Sequence, residues 1–207
     1  INAGSLAVRR GVLDGIARLS ADHSLVAGVI IGGGTTFIAG SDLREFGQPL
    51  EDPQLPAVIA RIEACPKPVV AAIHGAALGG GFELALGCDA RIASPKAVVG
   101  LPEVTLGMVP GAGGTQRLPR IVGCAKSIDL VCSGERVETA AAAGLGIVDA
   151  IAEGDLRHAA VAFARGMKKK RRLRDEVTKP DAPEAVEAAA RAALQAGRER
   201  PWVKSAI

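Results

Sequence analysis

Glu83 and Glu103 are the acidic side chains best placed for chemistry, because each lies beside a glycine- or proline-rich turn. Glu83 follows three consecutive glycines in ALGGGFELALG (77–87), and Glu103 lies in GLPEVTLG (100–107). Glycine backbone lets a ligand approach closely, and the first N–H groups of a helix have no acceptor within that helix. N–H donors beside two carboxylates can stabilise an oxyanion while the carboxylates move protons. Alternatively, each glutamate by itself could have a purely structural role and offset the dipole of a nearby helix.

If both glutamates face one site, their charges repel each other. At least one of their pKa values is then expected to lie above the ordinary range for a carboxyl group, which suits a group that must donate a proton. Such a pair titrates together, so the residues predict an acid/base pair without assigning the acid to either one.

Other glycine-rich or nucleophilic motifs lack the spacing that their chemistry needs. Neither GGG (79–81) nor PGAGGTQR (110–117) has the G-x-G-x-x-G pattern of a dinucleotide site, and no lysine precedes Thr115 as a P-loop requires. Ser41 lies in AGSD and not in the G-x-S-x-G pattern of serine hydrolases. These motifs therefore do not predict nucleotide binding or serine hydrolysis.

The histidines and cysteines do not predict a metal site. The chain has only three histidines, His23, His74 and His158, which gives little support for a catalytic triad or a histidine metal cluster. His74 ends an apolar run, which favours a hydrogen-bonded structural role. The four cysteines have no C-x-x-C spacing, which indicates free, buried thiols in a reducing compartment.

The composition favours a soluble α/β protein over a nucleic-acid or membrane protein. Of 207 residues 48% are hydrophobic and 23% are charged, with a net charge of +3 and no tyrosine on which bases could stack. There is no apolar run of 18 residues and no signal-peptide pattern at the start, so we expect a cytoplasmic protein without a membrane partner. The basic run 168–174 is expected to be a solvated face or connector, with anion binding as the alternative.

Helix and strand patterns alternate along the chain. Helical spacing covers 5–22, 55–65 and 82–93, and buried strands are expected within 24–33 and 68–75. A short strand, a Pro-Glu turn, a glycine-rich loop and a further helix follow, and 183–202 forms an alanine-rich helix. This alternation predicts parallel strands with crossover helices.

Four stretches together resemble the crotonase (enoyl-CoA hydratase/isomerase) superfamily, and especially the hydratase part of bifunctional fatty-acid oxidation enzymes. They are FIAGSDLREF (37–46), PKPVVAAIHGAALGGGFELALGCDARIA (66–93), VGLPEVTLGMVPGAGGTQRLPRIVG (99–123) and GLGIVD (144–149). The resemblance implies an α/β fold built as a spiral of ββα units, with a catalytic domain over 1–165 and a helical C-terminal extension over 166–207.

The resemblance also implies roles for particular residues. Glu83 and Glu103 would be the acid/base pair that adds water in syn fashion to a trans-2-enoyl-CoA, and the backbone N–H groups of Ser41 and Gly80 would form the oxyanion hole. The remaining substrate-binding positions would be Ala39, Gly40, Asp42, Leu43, Gly79, Pro102 and Gly111.

Coenzyme A would be part of the substrate, with no separate cofactor, no metal and no nucleic-acid partner. The chain would act as a trimer-type homo-oligomer or as part of a bifunctional chain. Two alternatives remain at this point: a Δ3-Δ2-enoyl-CoA isomerase, and a catalytically silent subunit that binds acyl-CoA or RNA.

Overall fold

A computed structural model describes residues 2–45 and 47–198, which form eight α-helices and seven strands. The helices are α1 (Leu6–Ala21), α2 (Leu55–Ala64), α3 (Gly80–Gly87), α4 (Gly114–Val122), α5 (Cys124–Ser133), α6 (Thr139–Gly144), α7 (Leu156–Gly166) and α8 (Pro183–Arg198). The strands are β1 (Gly28–Ile31), β2 (Val69–Ile73), β3 (Ala76–Leu78), β4 (Ala90–Ala93), β5 (Val98–Gly100), β6 (Val137–Glu138) and β7 (Ala150–Ile151). Short 3-10 helices cover Leu43–Glu45, Pro102–Leu106 and Leu173–Asp175.

The strands form two sheets that the chain visits alternately. A parallel sheet has the order β1-β2-β4-β7, and a smaller sheet has the order β3-β5-β6 with β6 antiparallel to β5. Thus β2 in the large sheet is followed by β3 in the small sheet and then by α3, and β4 and β5 repeat the step. This succession confirms the predicted α/β fold of ββα units.

The predicted helix over 82–93 is wrong in its second half. The helix α3 ends at Gly87, and Ala90–Ala93 is the strand β4, which pairs with β2 on one side and β7 on the other. The helix-forming residues of this segment are overridden by burial between two parallel strands. Asp89 fixes the entry into the strand, because its carboxylate accepts from the N–H of Val69 at 2.8 Å.

The other predicted elements agree with the structure apart from two details. The strand β1 is only half-buried, because it lies at the edge of the large sheet as far as the structure describes it. The alanine-rich helix α8 is described from 183 to 198, and the last predicted positions, 199–202, lie outside the described residues.

The basic run 168–174 is a connector between α7 and α8. Lys170 pairs with Asp89 at 2.9 Å, and Arg171 pairs with Asp149 at 2.8 Å and with Glu176 at 2.7 Å. The pairs with Asp89 and Asp149 attach the connector to the body of the protein, and Arg174 adds a pair with Glu63 at 3.4 Å. The Arg171–Glu176 and Arg172–Asp175 pairs lie within the connector. The structure therefore favours the connector over the anion-binding alternative.

Candidate active site

A cavity of about 180 Å³ lies at the start of α3 and brings three separate stretches of the sequence together. The loop after Ile38, the glycines before Glu83 and the 3-10 helix Pro102–Leu106 each contribute to its wall. The lining residues are Ala39, Gly40, Ser41, Gly79, Gly80, Pro102, Glu103, Leu106 and Met108.

Two backbone N–H groups on this wall are available to a ligand. Gly80 is the first residue of α3, where an N–H has no acceptor within the helix. Ser41 lies close by, since its Oγ is 3.4 Å from the point that a Cβ at Gly80 would occupy. No hydrogen bond within residues 2–45 and 47–198 uses the N–H of either residue. Both residues line the cavity, which makes their N–H groups the candidate donors to a bound oxygen atom.

Glu103 is the carboxyl group on the cavity wall. It is half-buried, and within the described chain its Oε2 has no hydrogen-bond partner. Burial, and to a lesser extent the charge of Glu83, raises the pKa of Glu103 to about 7. A carboxyl group with this pKa can hold or release a proton near neutral pH, as an acid/base catalyst must.

The same pKa predicts how the stability of the protein depends on pH. Because the pKa of Glu103 in the folded state lies above its unfolded value, ionisation weakens the folded state as the pH rises through about 7. Glu103→Gln removes this loss. We expect the variant to exceed the wild type in unfolding free energy by about 1–2 kcal/mol at about pH 8, after discounting for partial exposure, and by little at about pH 5.

Urea unfolding at the two pH values measures this difference. Glu153→Gln, the same change at an exposed position, is the matched control and should show no such pH dependence. Equal stability of Glu103→Gln and the wild type at the higher pH would contradict the prediction.

Glu83 lies behind the cavity wall, on the first turn of α3, with 2% of its surface exposed. Its Oε1 accepts hydrogen bonds from the N–H groups of Ala112 (2.8 Å) and Gly114 (2.7 Å). Burial raises its pKa, while these two N–H groups and the charge of Arg117 act in the opposite direction. Both of these hydrogen bonds use Oε1, and none within the described chain uses Oε2.

The similarity of the chain to known proteins identifies its family. The model of the family described as "Enoyl-CoA hydratase/isomerase" matches residues 1–200. The chain belongs to this family. The predicted membership of the crotonase superfamily is thereby confirmed.

Named relatives and solved structures of the family agree with the match. The peroxisomal bifunctional enzyme of Danio rerio is 49% identical over 164 residues, which are 79% of this chain and 23% of that protein. The crystal structure of enoyl-CoA hydratase from Bacillus anthracis has a TM-score of 0.74 and 32% identity, and covers 95% of this chain and 75% of the other. The hydratase structure from Mycobacterium tuberculosis has a TM-score of 0.74 and 33% identity, with 96% and 75% coverage. This chain thus spans less than a quarter of the bifunctional relative.

The structure groups most of the predicted site residues and separates a few. Ala39, Gly40, Ser41, Gly79, Gly80, Pro102 and Glu103 share the cavity. Asp42 is not among the residues that line the cavity, and Arg44 binds its carboxylate and holds its pKa below the usual range. Leu43 begins the adjacent 3-10 helix, and Gly111 lies on a separate groove beside Arg117.

Several residues that surround the site were assigned no role from the sequence. Leu106 and Met108 add apolar surface to the cavity, and the N–H groups of Ala112 and Gly114 hold Glu83. The sequence does carry a signal for the last two, since GAGG (111–114) leads into α4, which begins at Gly114, and a helix start offers free N–H donors.

His74 has a hydrogen-bonded structural role, as predicted, because its Nε2 contacts the carbonyl oxygen of Gly34 at 3.1 Å. The four cysteines are free, but only Cys65 and Cys88 are buried, while Cys124 and Cys132 are half-buried. Within the described residues there is no cluster of three histidine, cysteine or acidic side chains that could hold a metal ion. Nor is any helix of the described chain long and apolar enough to cross a membrane.

Proposed function

We propose that this chain is an enoyl-CoA hydratase, which adds water to a trans-2-enoyl-CoA to give a 3-hydroxyacyl-CoA in fatty-acid β-oxidation. The observation that carries the proposal is one cavity lined by Glu103, Ser41 and Gly80, with Glu83 behind its wall on the first turn of the helix that begins at Gly80. Both glutamates have raised pKa values. Family membership and the names of the relatives support the same reaction.

In the proposed mechanism the thioester oxygen accepts hydrogen bonds from the N–H groups of Ser41 and Gly80. Attack of water at the β-carbon places negative charge on that oxygen, and fixed donors stabilise the charge as it develops. Oε2 of Glu83 takes a proton from the attacking water, and Glu103 gives a proton to the α-carbon. The hydrogen and the hydroxyl group are added to the same face of the double bond. Proton exchange of Glu83 and Glu103 with solvent then restores their starting protonation states.

Glu103 is assigned the acid because it has an oxygen without a partner and a pKa of about 7. Glu83 is assigned the base because burial, which raises its pKa, is opposed there by two N–H donors and the charge of Arg117, whereas within the described chain no such donor reaches Oε2 of Glu103. The carboxyls titrate as a pair, so the active state carries one proton between them.

The direct test is the hydration of crotonyl-CoA by the purified chain. Loss of the enoyl-thioester absorbance together with formation of 3-hydroxybutyryl-CoA is the expected result. An active preparation of a family hydratase in the same buffer is the positive control. A folded chain that leaves crotonyl-CoA unchanged over a range of chain concentrations would overturn the proposal for the isolated chain.

Isomerisation of a 3-enoyl-CoA to a 2-enoyl-CoA is the second candidate activity. It needs one carboxyl that moves a proton between carbons, and Glu103 alone lies on the cavity wall, with Glu83 behind it. Incubation with a 3-enoyl-CoA measures this activity as a gain in enoyl-thioester absorbance. The other alternative is a catalytically silent subunit that binds acyl-CoA or RNA. Its RNA-binding form has less support, because four of the six basic residues in 168–174 pair with acidic side chains.

The setting of the domain is also a proposal. Since the chain matches 23% of a bifunctional relative, we propose that it works as the hydratase part of a longer chain or as a trimer-type oligomer. The division at residues 165 and 166, near the end of α7, stays a prediction. A cytoplasmic location also stays a prediction, beside the peroxisomal one in the relative's name. The reaction takes coenzyme A as part of its substrate and calls for no separate cofactor.

A further inference from the structure

Arg117 on α4 connects the loop that holds Glu83 to an acidic residue on α2. Its Nη1 donates to the carbonyl oxygen of Ala112 at 3.1 Å, while its Nε and Nη2 contact Oε1 of Glu63 at 2.9 and 2.8 Å. The N–H of Ala112 donates in turn to Oε1 of Glu83. Residue 112 is therefore held on both sides, at its carbonyl by Arg117 and at its N–H by Glu83.

The Glu63–Arg117 pair is buried, with 3% and 8% of the two residues exposed. Burying a charged pair does little by itself for stability, because the loss of hydration offsets the attraction between the charges. A gain in folding stability is therefore a poor explanation for why the chain buries this ion pair. Its position beside the loop that binds Glu83 suggests a role in the site.

The loop 111–114 needs support from outside, since its sequence is Gly-Ala-Gly-Gly and its largest side chain is one methyl group. Gly113 has a φ of +96° and leaves the path of Arg117 open, because a Cβ there would overlap with Nη1 of Arg117. The loop thus has no large side chain to fix its position, and the absence of a side chain at Gly113 lets the guanidinium of Arg117 reach its backbone.

We propose that Glu63 and Arg117 are positioning residues of the active site, which fix the peptide groups around Ala112 and through them the carboxylate of Glu83. The inference rests on the proposed function for the reaction that Glu83 serves. Both residues reach the site through the loop that binds Glu83, because Arg117 contacts Ala112 and Glu63 contacts Arg117.

Arg117 also acts through its charge, since it lowers the pKa of Glu83 against the effect of burial. Besides Arg117, the helices and strands packed against α3 carry four charged side chains: Arg61 and Glu63 on α2, Arg120 on α4 and Arg91 on β4. Glu63 pairs with Arg117 and Arg174, and Arg91 pairs with Asp149 at 2.7 Å. Glu103 is the further acidic group near Glu83. The strand β3 carries no titratable side chain. Loss of the Arg117 charge should therefore raise the pKa of Glu83.

The first experiment compares Arg117→Lys with Arg91→Lys. Arg91 is the matched control, because it too is buried and binds both a carboxylate, Asp149, and a backbone carbonyl, that of Ile147. Lysine keeps the charge but lacks the planar fork needed to hold Glu63 and Ala112 together. We expect Arg117→Lys to lower kcat by about 10- to 100-fold with KM within about threefold, and Arg91→Lys to lower thermal stability with kcat within about twofold.

The second experiment uses a readout that does not depend on turnover. The ¹³C-carboxyl signal of Glu83, assigned by its loss in Glu83→Gln, is titrated in the wild type, Arg117→Met and Arg91→Lys. The titration midpoint should move upward in Arg117→Met and remain in place in Arg91→Lys. Glu63→Gln, which retains an acceptor oxygen for Arg117, should lose less kcat than Glu63→Ala.

Two outcomes would overturn the inference. One is an unchanged Glu83 titration in Arg117→Met, and the other is a loss of kcat per folded molecule no larger in Arg117→Lys than in Arg91→Lys. If the wild type fails to hydrate crotonyl-CoA, the proposed function fails, and the titration still decides whether Arg117 acts on Glu83.

Discussion

Glu83→Gln and Glu103→Gln are each expected to slow enoyl-CoA hydration by about 10²- to 10⁴-fold, the range for loss of one positioned acid or base. An amide cannot take a proton from water or give one to carbon at neutral pH. In Glu83→Gln the amide oxygen can still accept from the N–H groups of Ala112 and Gly114. The loss should therefore appear without unfolding of the loop that these bonds fix.

The measurement is kcat/KM for crotonyl-CoA, with thermal unfolding recorded for each variant. Glu153→Gln, at an exposed position, is the control and should keep full activity. If the chain also isomerises 3-enoyl-CoA, Glu83→Gln should retain more of that activity than Glu103→Gln, because a proton shuttle needs one carboxyl. Full hydration by both glutamine variants would refute the assigned pair.

Much of the fold follows from local patterns in the sequence, and the main error has a clear cause. Amphipathic spacing locates α1 and α2, and β-branched runs locate β1 and β2. The strand Ala90–Ala93 was missed because its residues favour a helix and only its pairing with β2 and β7 makes it a strand. Long-range pairing of this kind leaves no periodic signal in four residues.

The site was predictable where chemistry needs a recognisable local motif. The stretches around Ser41, Gly80 and Glu103 each have such a motif, and the structure places them on one cavity. Glu63 and Arg117 have none, because their importance arises from contacts across the fold.

The glycines before Glu83 also serve the packing of the protein. A Cβ at Gly79 would lie 3.1 Å from Oε1 of Glu103, and one at Gly81 would overlap with the carbonyl oxygen of Ile38. Ligand access, the explanation that the sequence suggested, therefore accounts for only part of the triplet. Close approach between the start of α3 and its neighbours accounts for the rest.

Gly80→Pro is expected to reduce kcat by about 10²- to 10³-fold relative to Gly80→Ala, the range found when one oxyanion donor is lost. Gly80 is the first residue of α3, a position where proline is well tolerated because that N–H has no helical partner. The substitution therefore removes a donor to the thioester oxygen while it leaves the hydrogen bonds of the helix in place.

Gly80→Ala is the matched control, because it adds a Cβ and keeps the N–H. That Cβ would lie 2.8 Å from Cδ2 of Leu55 and 3.4 Å from Oγ of Ser41, and the end of the leucine side chain can move aside. Steady-state kinetics with crotonyl-CoA, with circular dichroism to verify the fold, separates the donor from the added volume. Equal rates in the two variants would mean that the Gly80 N–H does not stabilise the oxyanion, and Ser41 or another donor would have to take that role.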